Sequence, residues 1–96
     1  MRFDWDERKN RRNRAKHGIS FETARLVFKD PHALSIQDRY DNGEERWQTI
    51  GHVAQAVILL VAHTFSLGEG ADDVVRIISA RKATPRERKP YEQIDR

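Results

Sequence analysis

The chain has no cysteine among its 96 residues. That excludes disulfides, thiol nucleophiles and Cys-ligated zinc, and it suits a reducing cytosol. Long apolar runs are also missing. The longest covers residues 56–62, far short of a bilayer span, so no membrane association is expected. The N-terminus turns charged at Arg2 and carries no legible secretory signal. There is no phosphate-binding P-loop, no GxGxxG and no GxSxG. The histidines His17, His32, His52 and His63 form neither HxxxH nor HxH, so we expect no metal site and no cofactor. These absences point to a cytoplasmic protein.

What is present is charge. Charged residues make up 34% of the chain and apolar residues 38%, a balance that would permit disorder. Clear strand patterns and helix caps argue for a folded chain instead, apart from its last few residues. We read residues 1–96 as one domain with a modest core. The net charge of +3 is unevenly spread. Residues 1–18 hold seven Lys/Arg against three Asp/Glu, residues 19–75 four against nine, and residues 76–96 seven against three. If the two basic ends meet, they form a positive surface suited to nucleic acid or to an acidic protein segment.

Residues 2–5 suggest a short strand with Phe3 and Trp5 on one face. Residues 6–17 lack Gly and Pro, and Gly18 supplies a stop, so a helix is expected there. It is polar almost throughout and must be held by its neighbours, Trp5 and Ile19. Ser20 can cap a second, more apolar helix over residues 21–29, although Arg25 interrupts its stripe; Asp30-Pro31 ends it. Three strand-like runs follow, at 33–40, 46–53 and 56–65. The last is apolar on both faces and belongs in the middle of a sheet. Asn42-Gly43 signals a two-residue hairpin turn that sets Arg39 opposite Arg46. Like charges so placed repel, which calls for another register or for an anion or carboxylate between them. A final strand at 74–79 completes an α+β domain with an antiparallel sheet and helices before and after it.

The end of the chain concentrates function. Residues 74–91 read VVRIISARKATPRERKPY. Thr84 and Glu87 have capping-box spacing, and Pro85 takes the favoured first helical position. Arg76, Arg81, Lys82, Arg86, Arg88 and Lys89 therefore surround one strand-to-helix junction, an arrangement suited to phosphate. The same charges also fit an ordinary solvated surface. Arg76 and Arg81 have opposite strand parity and share a face only if the strand ends near Ser79. Pro90 should kink or stop the last helix and leaves the direction of Tyr91 open. Arginine can stabilise developing negative charge but cannot act as a base at neutral pH. A nuclease would have to draw its base from Glu45, His63, Glu87 or Tyr91. Lys16 and the other cations of residues 8–16 could track phosphates, and Trp5 and Trp47 could stack bases or be buried.

The stretch FDWDERKNRRNRAKHGISFETARLVFKDP, the EERW segment and VVRIISARKATPRERKPYE together resemble the BrnT toxin family over nearly the whole chain. That resemblance implies a RelE-like fold with two N-terminal helices, a small antiparallel sheet and a short C-terminal helix. It implies a ribonuclease toxin of a type II toxin–antitoxin pair that stops translation and growth without a metal. Its partner would be a ribbon-helix-helix antitoxin of the BrnA kind in a heterotetramer or larger complex, touching operator DNA only through the antitoxin. Carried onto matching positions, the catalytic residues are Glu45, Arg46, Arg76, Arg81 and Tyr91, with Arg76 and Arg81 on the phosphate and Glu45 or Tyr91 moving protons. Lys16, Lys82, Arg86 and Arg88 are the expected RNA-binding cations. Two departures stand out: Pro90, and an acidic SLGEGADD connection over residues 66–73 that could alter antitoxin or substrate contacts. A different class also fits the basic first helix: a non-enzymatic nucleic-acid-binding or corepressor module, or an inactive antitoxin partner.

Overall fold

A computed structural model describes residues 1–55, 57–67 and 72–93. Half of the acidic connection, residues 68–71, and the chain end at 94–96 lie outside them. The elements are β1 (Arg2–Asp4), α1 (Glu7–His17), α2 (Phe21–Ala24), a 3₁₀ helix (Arg25–Lys29), β2 (Leu34–Asp41), β3 (Glu44–Ala54), β4 (Val57–Leu67), β5 (Asp73–Lys82) and α3 (Pro85–Glu92). The five strands form one sheet in the order β1-β5-β4-β3-β2. All neighbours are antiparallel except β1, which adds in parallel to β5 at the edge. The class is α+β, and the doubly apolar strand β4 is central, as expected.

The helix signals are local and hold. Asp6 caps α1 by accepting from the N–H groups of Arg8 and Lys9, and Gly18 closes it with φ 72°. Ser20 caps α2 through Thr23 N–H. The second helix differs from the single helix expected over 21–29. After one α turn it tightens into the 3₁₀ form. Phe21, Ala24 and Val27 explain this: they recur every three residues and all are fully buried. A 3₁₀ helix, with three residues per turn, stacks such a row on one face, and Arg25 turns outward. Val27 lies so close to β3 that a Cβ on Gly51 would sit 2.8 Å from its Cγ1.

One face of the sheet packs on α1, α2 and the 3₁₀ helix through Leu59, Val61, Val75, Ile77 and Ala80, with Trp5 and Ile19 at the margin. On the other face Ile50, Ala83 and Tyr91 form a second, smaller cluster with Leu34, Ile58 and Leu60, covering one end. We call this second face the open face.

Helix α1 is anchored by polar groups. Asn10 and Asn13 are buried at 3% and 7% exposure. Asn10 accepts from Phe21 N–H at 2.8 Å and donates to Glu22 at 2.9 Å. Asn13 pairs with the backbone of Ala80 in β5 and donates to the Ile19 carbonyl. The basic N-terminal helix therefore lies against the basic C-terminal strand, so the two positive ends do meet.

Pro90 neither stops α3 nor leaves Tyr91 undetermined. The helix continues to Glu92, with Gln93 N–H reaching Lys89 at 3.0 Å. The proline ring faces solvent. Tyr91, 4% exposed, is buried in the second cluster and donates its hydroxyl proton to Asp30, which secures the last turn.

Candidate active site

Side chains alternate across a strand, so register decides which arginines share a face. Strand β5 does not end near Ser79; it runs to Lys82. Its pairing with β4 slips between Ala62↔Ser79 and His63↔Ile77, leaving Ile78 as a bulge. The extra residue resets the alternation. Arg76, level with Thr64, and Arg81, level with Leu60, thus both belong to the open face. In β3, Trp47 and Thr49 point to the helical side, where Thr49 meets His63. Arg46, Gln48 and Ile50 therefore belong to the open face. One step past the Trp47↔His63 pair, Arg46 comes level with Thr64 and hence with Arg76, two strands away. Gln48, Ala62 and Ser79 form a floor of modest side chains between this row and Arg81.

Each arginine has a carboxylate. Arg76 donates to Asp4 at 2.6 Å from its parallel neighbour β1. Arg81 makes a two-pronged contact with Glu87, at 2.7 and 2.8 Å. Glu87 is at the same time the capping-box residue, accepting from Thr84 N–H at 2.9 Å. The Arg81 guanidinium, helped by Thr84, holds the Glu87 carboxyl at a pKa of about 2, and Glu87 in turn raises that of Arg81. Glu87 is thus ionised and engaged at neutral pH; it is a strut for Arg81 and a poor base. Arg46 is the least satisfied: Asp41 lies 3.6 Å away, and its buried Nε has no hydrogen-bond partner among the described residues.

The remaining candidates separate. Glu45 pairs with Tyr40 and points away from Arg46, to the side opposite the arginines. Neighbours in a strand point to opposite faces, so the two side chains are set apart. Tyr91 is also removed from the site by its burial. Its partner Asp30 pays desolvation, but bonds from Tyr91 and from the N–H groups of His52 and His32 outweigh it and lower the carboxyl pKa. His63 is 2% exposed on the helical side. Burial lowers its pKa against a smaller raising effect from the Thr64 carbonyl. Because that carbonyl can only accept, Nδ1 carries the proton and Nε2 accepts from Thr49, 2.7 Å away.

Lys16 lines a cleft of about 230 Å³ between α1 and the β5 edge, with Lys9, Arg12 and His17, beside Ser79 and Ile78. Lys82 is exposed at the strand end on the opposite parity from Arg81, and Arg86 is exposed on α3. Arg88 is half-buried against Ile58, Lys82 and Ala83, 3.8 Å from Glu92. Trp5 meets Phe21 edge-on, and Trp47 lines an apolar cleft on the helical side, so neither offers its ring on the open face. Among the described residues no group of three or more His, Asp or Glu is placed to hold a metal ion, and no helix is long and apolar enough to cross a membrane. Sequence reasoning missed Asp4, Asp41 and the two asparagines. Only the asparagines left a trace: their spacing of three on one face of an otherwise charged helix.

The fold and site define a small α+β protein whose open sheet face presents paired arginines. The crystal structure of the Brucella abortus ribonuclease toxin BrnT has this fold, with a TM-score of 0.65 and 27% identity over 88% of this chain and 97% of that one. The family model of the ribonuclease toxin BrnT of type II toxin–antitoxin systems matches residues 5–87. The chain belongs to the BrnT family. No curated protein matches it in sequence.

Proposed function

We propose that this protein cleaves RNA on the open face of its sheet, without a metal, and so inhibits translation and growth. The observation that carries this is the convergence of Arg46, Arg76 and Arg81 on one face through the Ile78 bulge. In this reading an RNA 2′-hydroxyl attacks the adjacent phosphate. The 2′-oxygen–phosphorus bond forms as the phosphorus–O5′ bond breaks. One proton leaves the 2′-hydroxyl and one reaches the departing oxygen, so none is consumed, and a 2′,3′-cyclic phosphate remains. Arg76 and Arg81 bind the phosphate and stabilise its developing charge, and Arg46 assists from β3. Glu45 and Tyr91 are poorly sited to move the protons; the face is open to water, which can carry both. Lys16, Lys82, Arg86 and Arg88 extend the positive surface along the RNA.

The partner we propose is a ribbon-helix-helix antitoxin whose acidic segment lies across the arginines in the cytoplasm. The assembly would be a heterotetramer or larger and would reach operator DNA through the antitoxin alone. The test is induction in a sensitive bacterium with primer extension on cellular RNA. Arrest with discrete new 5′ ends is expected. It should vanish in a folded Arg76→Ala/Arg81→Ala variant; undiminished arrest in that variant overturns the site. Salt-sensitive RNA binding by purified protein with no cleavage would instead favour the non-enzymatic module, a reading encouraged by the carboxylates already seated on Arg76 and Arg81.

A further inference from the structure

The β2–β3 hairpin brings two cations together, and of the carboxylates on their face, Asp41 and Glu44, only Asp41 forms an ion pair with either. Arg39 pairs directly with Arg46 across the ladder. The Asn42-Gly43 turn, with φ 51° and 77°, imposes this register by setting Asp41 against Glu44. Three residues further on, the ladder changes step. Asp38 is extruded as a bulge, and Gln37 pairs with Trp47. Without that bulge the turn's register would carry on, setting Leu34 beside Gly51 and Ser35 beside Ile50. With it, Leu34 joins Ile50 and Ile36 joins Gln48 on the open face. The bulge therefore serves the apolar register, and the turn leaves Arg39 and Arg46 opposed on the open face.

Like charges directly opposed across a ladder are destabilising unless a counter-charge lies between them. Here Asp41, two residues along β2, reaches Arg46 only at 3.6 Å. Arg39 makes no ion pair with any described residue. The buried Nε of Arg46 is still without an acceptor. Arg76 and Arg81, by contrast, each hold a carboxylate at 2.6–2.8 Å. The hairpin thus carries guanidinium groups that no carboxylate of the described residues holds at hydrogen-bonding distance, on the same row as Thr64 and Arg76. Adjacent strands are about 4.8 Å apart, so the row spans the sheet at right angles to its strands.

We infer that Arg39 forms a phosphate-binding subsite for a nucleotide flanking the scissile one, with Arg46 bridging from it to the scissile phosphate, and that the RNA crosses the open face at right angles to the β-strands. Arg39 is then a binding residue of this surface that the catalytic trio does not include. The inference rests on the RNA-cleavage reading for its substrate, while its geometry stands on the hairpin alone.

The test uses purified protein and a single-stranded RNA fully 2′-O-methylated, which blocks the nucleophile so that binding is read without cleavage. Arg39→Ala is compared with Arg25→Ala, which removes the same charge from an exposed position on the helical layer. Arg39→Ala should weaken binding about fivefold at low salt and flatten the log–log salt slope by about 0.7. Arg25→Ala should leave both near wild type. Unchanged affinity and slope in Arg39→Ala overturn the subsite, as does an equal loss in both variants, which would mark a diffuse field. Cleavage of unmodified RNA by the wild type, assayed alongside, judges the ribonuclease reading separately. Binding that depends on Arg39 with no cleavage keeps the subsite and rejects the nuclease; cleavage with binding indifferent to Arg39 does the reverse.

Discussion

The side-chain amide of Asn13 takes both backbone hydrogen-bonding groups of Ala80, donating to its carbonyl at 2.7 Å and accepting from its N–H at 3.1 Å. It does for β5 what another strand would do, beyond the point where β1 stops pairing at Asp4↔Arg76. Asn13→Ala would leave two buried backbone groups unpaired and cut α1 from the sheet. We expect a loss of about 2–4 kcal/mol in urea unfolding. A loss under about 0.5 kcal/mol, the range of ordinary surface changes, would contradict the anchoring role.

The ion pair between Arg81 and Glu87 should give stability an acid limb. The Glu87 pKa falls from 4.5 to about 2 on folding. The stabilisation is therefore complete above pH 4.5 and disappears as pH falls from there towards 2. Solvent at this half-exposed pair reduces the contribution to about 1 kcal/mol. Melting temperature followed over that window should drop less steeply in Glu87→Gln than in the wild type. The same variant releases Arg81 and should lose toxicity while remaining folded at neutral pH.

His63 adds a second pH dependence at a higher window. Its folded pKa lies below the usual 6.5, so the unfolded chain takes up a proton that the buried ring resists. Its contribution is present above pH 6.5 and is lost as pH falls below it. His63→Gln, able to keep a bond to Thr49, should flatten the stability profile between neutral and mildly acid pH. A profile as steep as the wild type's would assign that slope to other groups.

Two substitutions separate the structural placement from the family-derived one. Glu45→Ala should still arrest growth, because its side chain is on the opposite side from Arg46. Tyr91→Phe loses the hydroxyl bond to Asp30 and should cost about 1–2 kcal/mol, yet cleave normally once folded. Loss of cleavage in stable, folded Glu45→Ala protein would return that residue to the catalytic set.

Gly51→Ala tests the packing of the 3₁₀ helix on β3. The new Cβ would sit 2.8 Å from Val27 Cγ1 and 3.2 Å from its carbonyl oxygen. The backbone contact leaves little room to yield, and a loss of about 1–3 kcal/mol is expected. Wild-type stability would mean that the helix can lift from the sheet.

Several features were legible in the sequence because their causes lie within a few residues. The capping box of Thr84 and Glu87, the cap at Ser20, the Gly18 stop and the Asn42-Gly43 turn are short-range hydrogen bonding and dihedral preference. The apolar run of β4 announced a central strand, since both its faces had to be covered. The sequence by itself thus determined the order of elements, the α+β class and the facing of Arg39 and Arg46. Tertiary structure decided the rest. The bulges at Asp38 and Ile78 reconcile registers demanded at distant points of the sheet, and no local rule places them. The one at Ile78 decides that Arg76 and Arg81 share a face. Burial of Asn10 and Asn13, and the pairing of Asp4 with Arg76, depend on partners up to 72 positions away. Such contacts carry no period along the chain; they exist only once packing has chosen which surfaces meet.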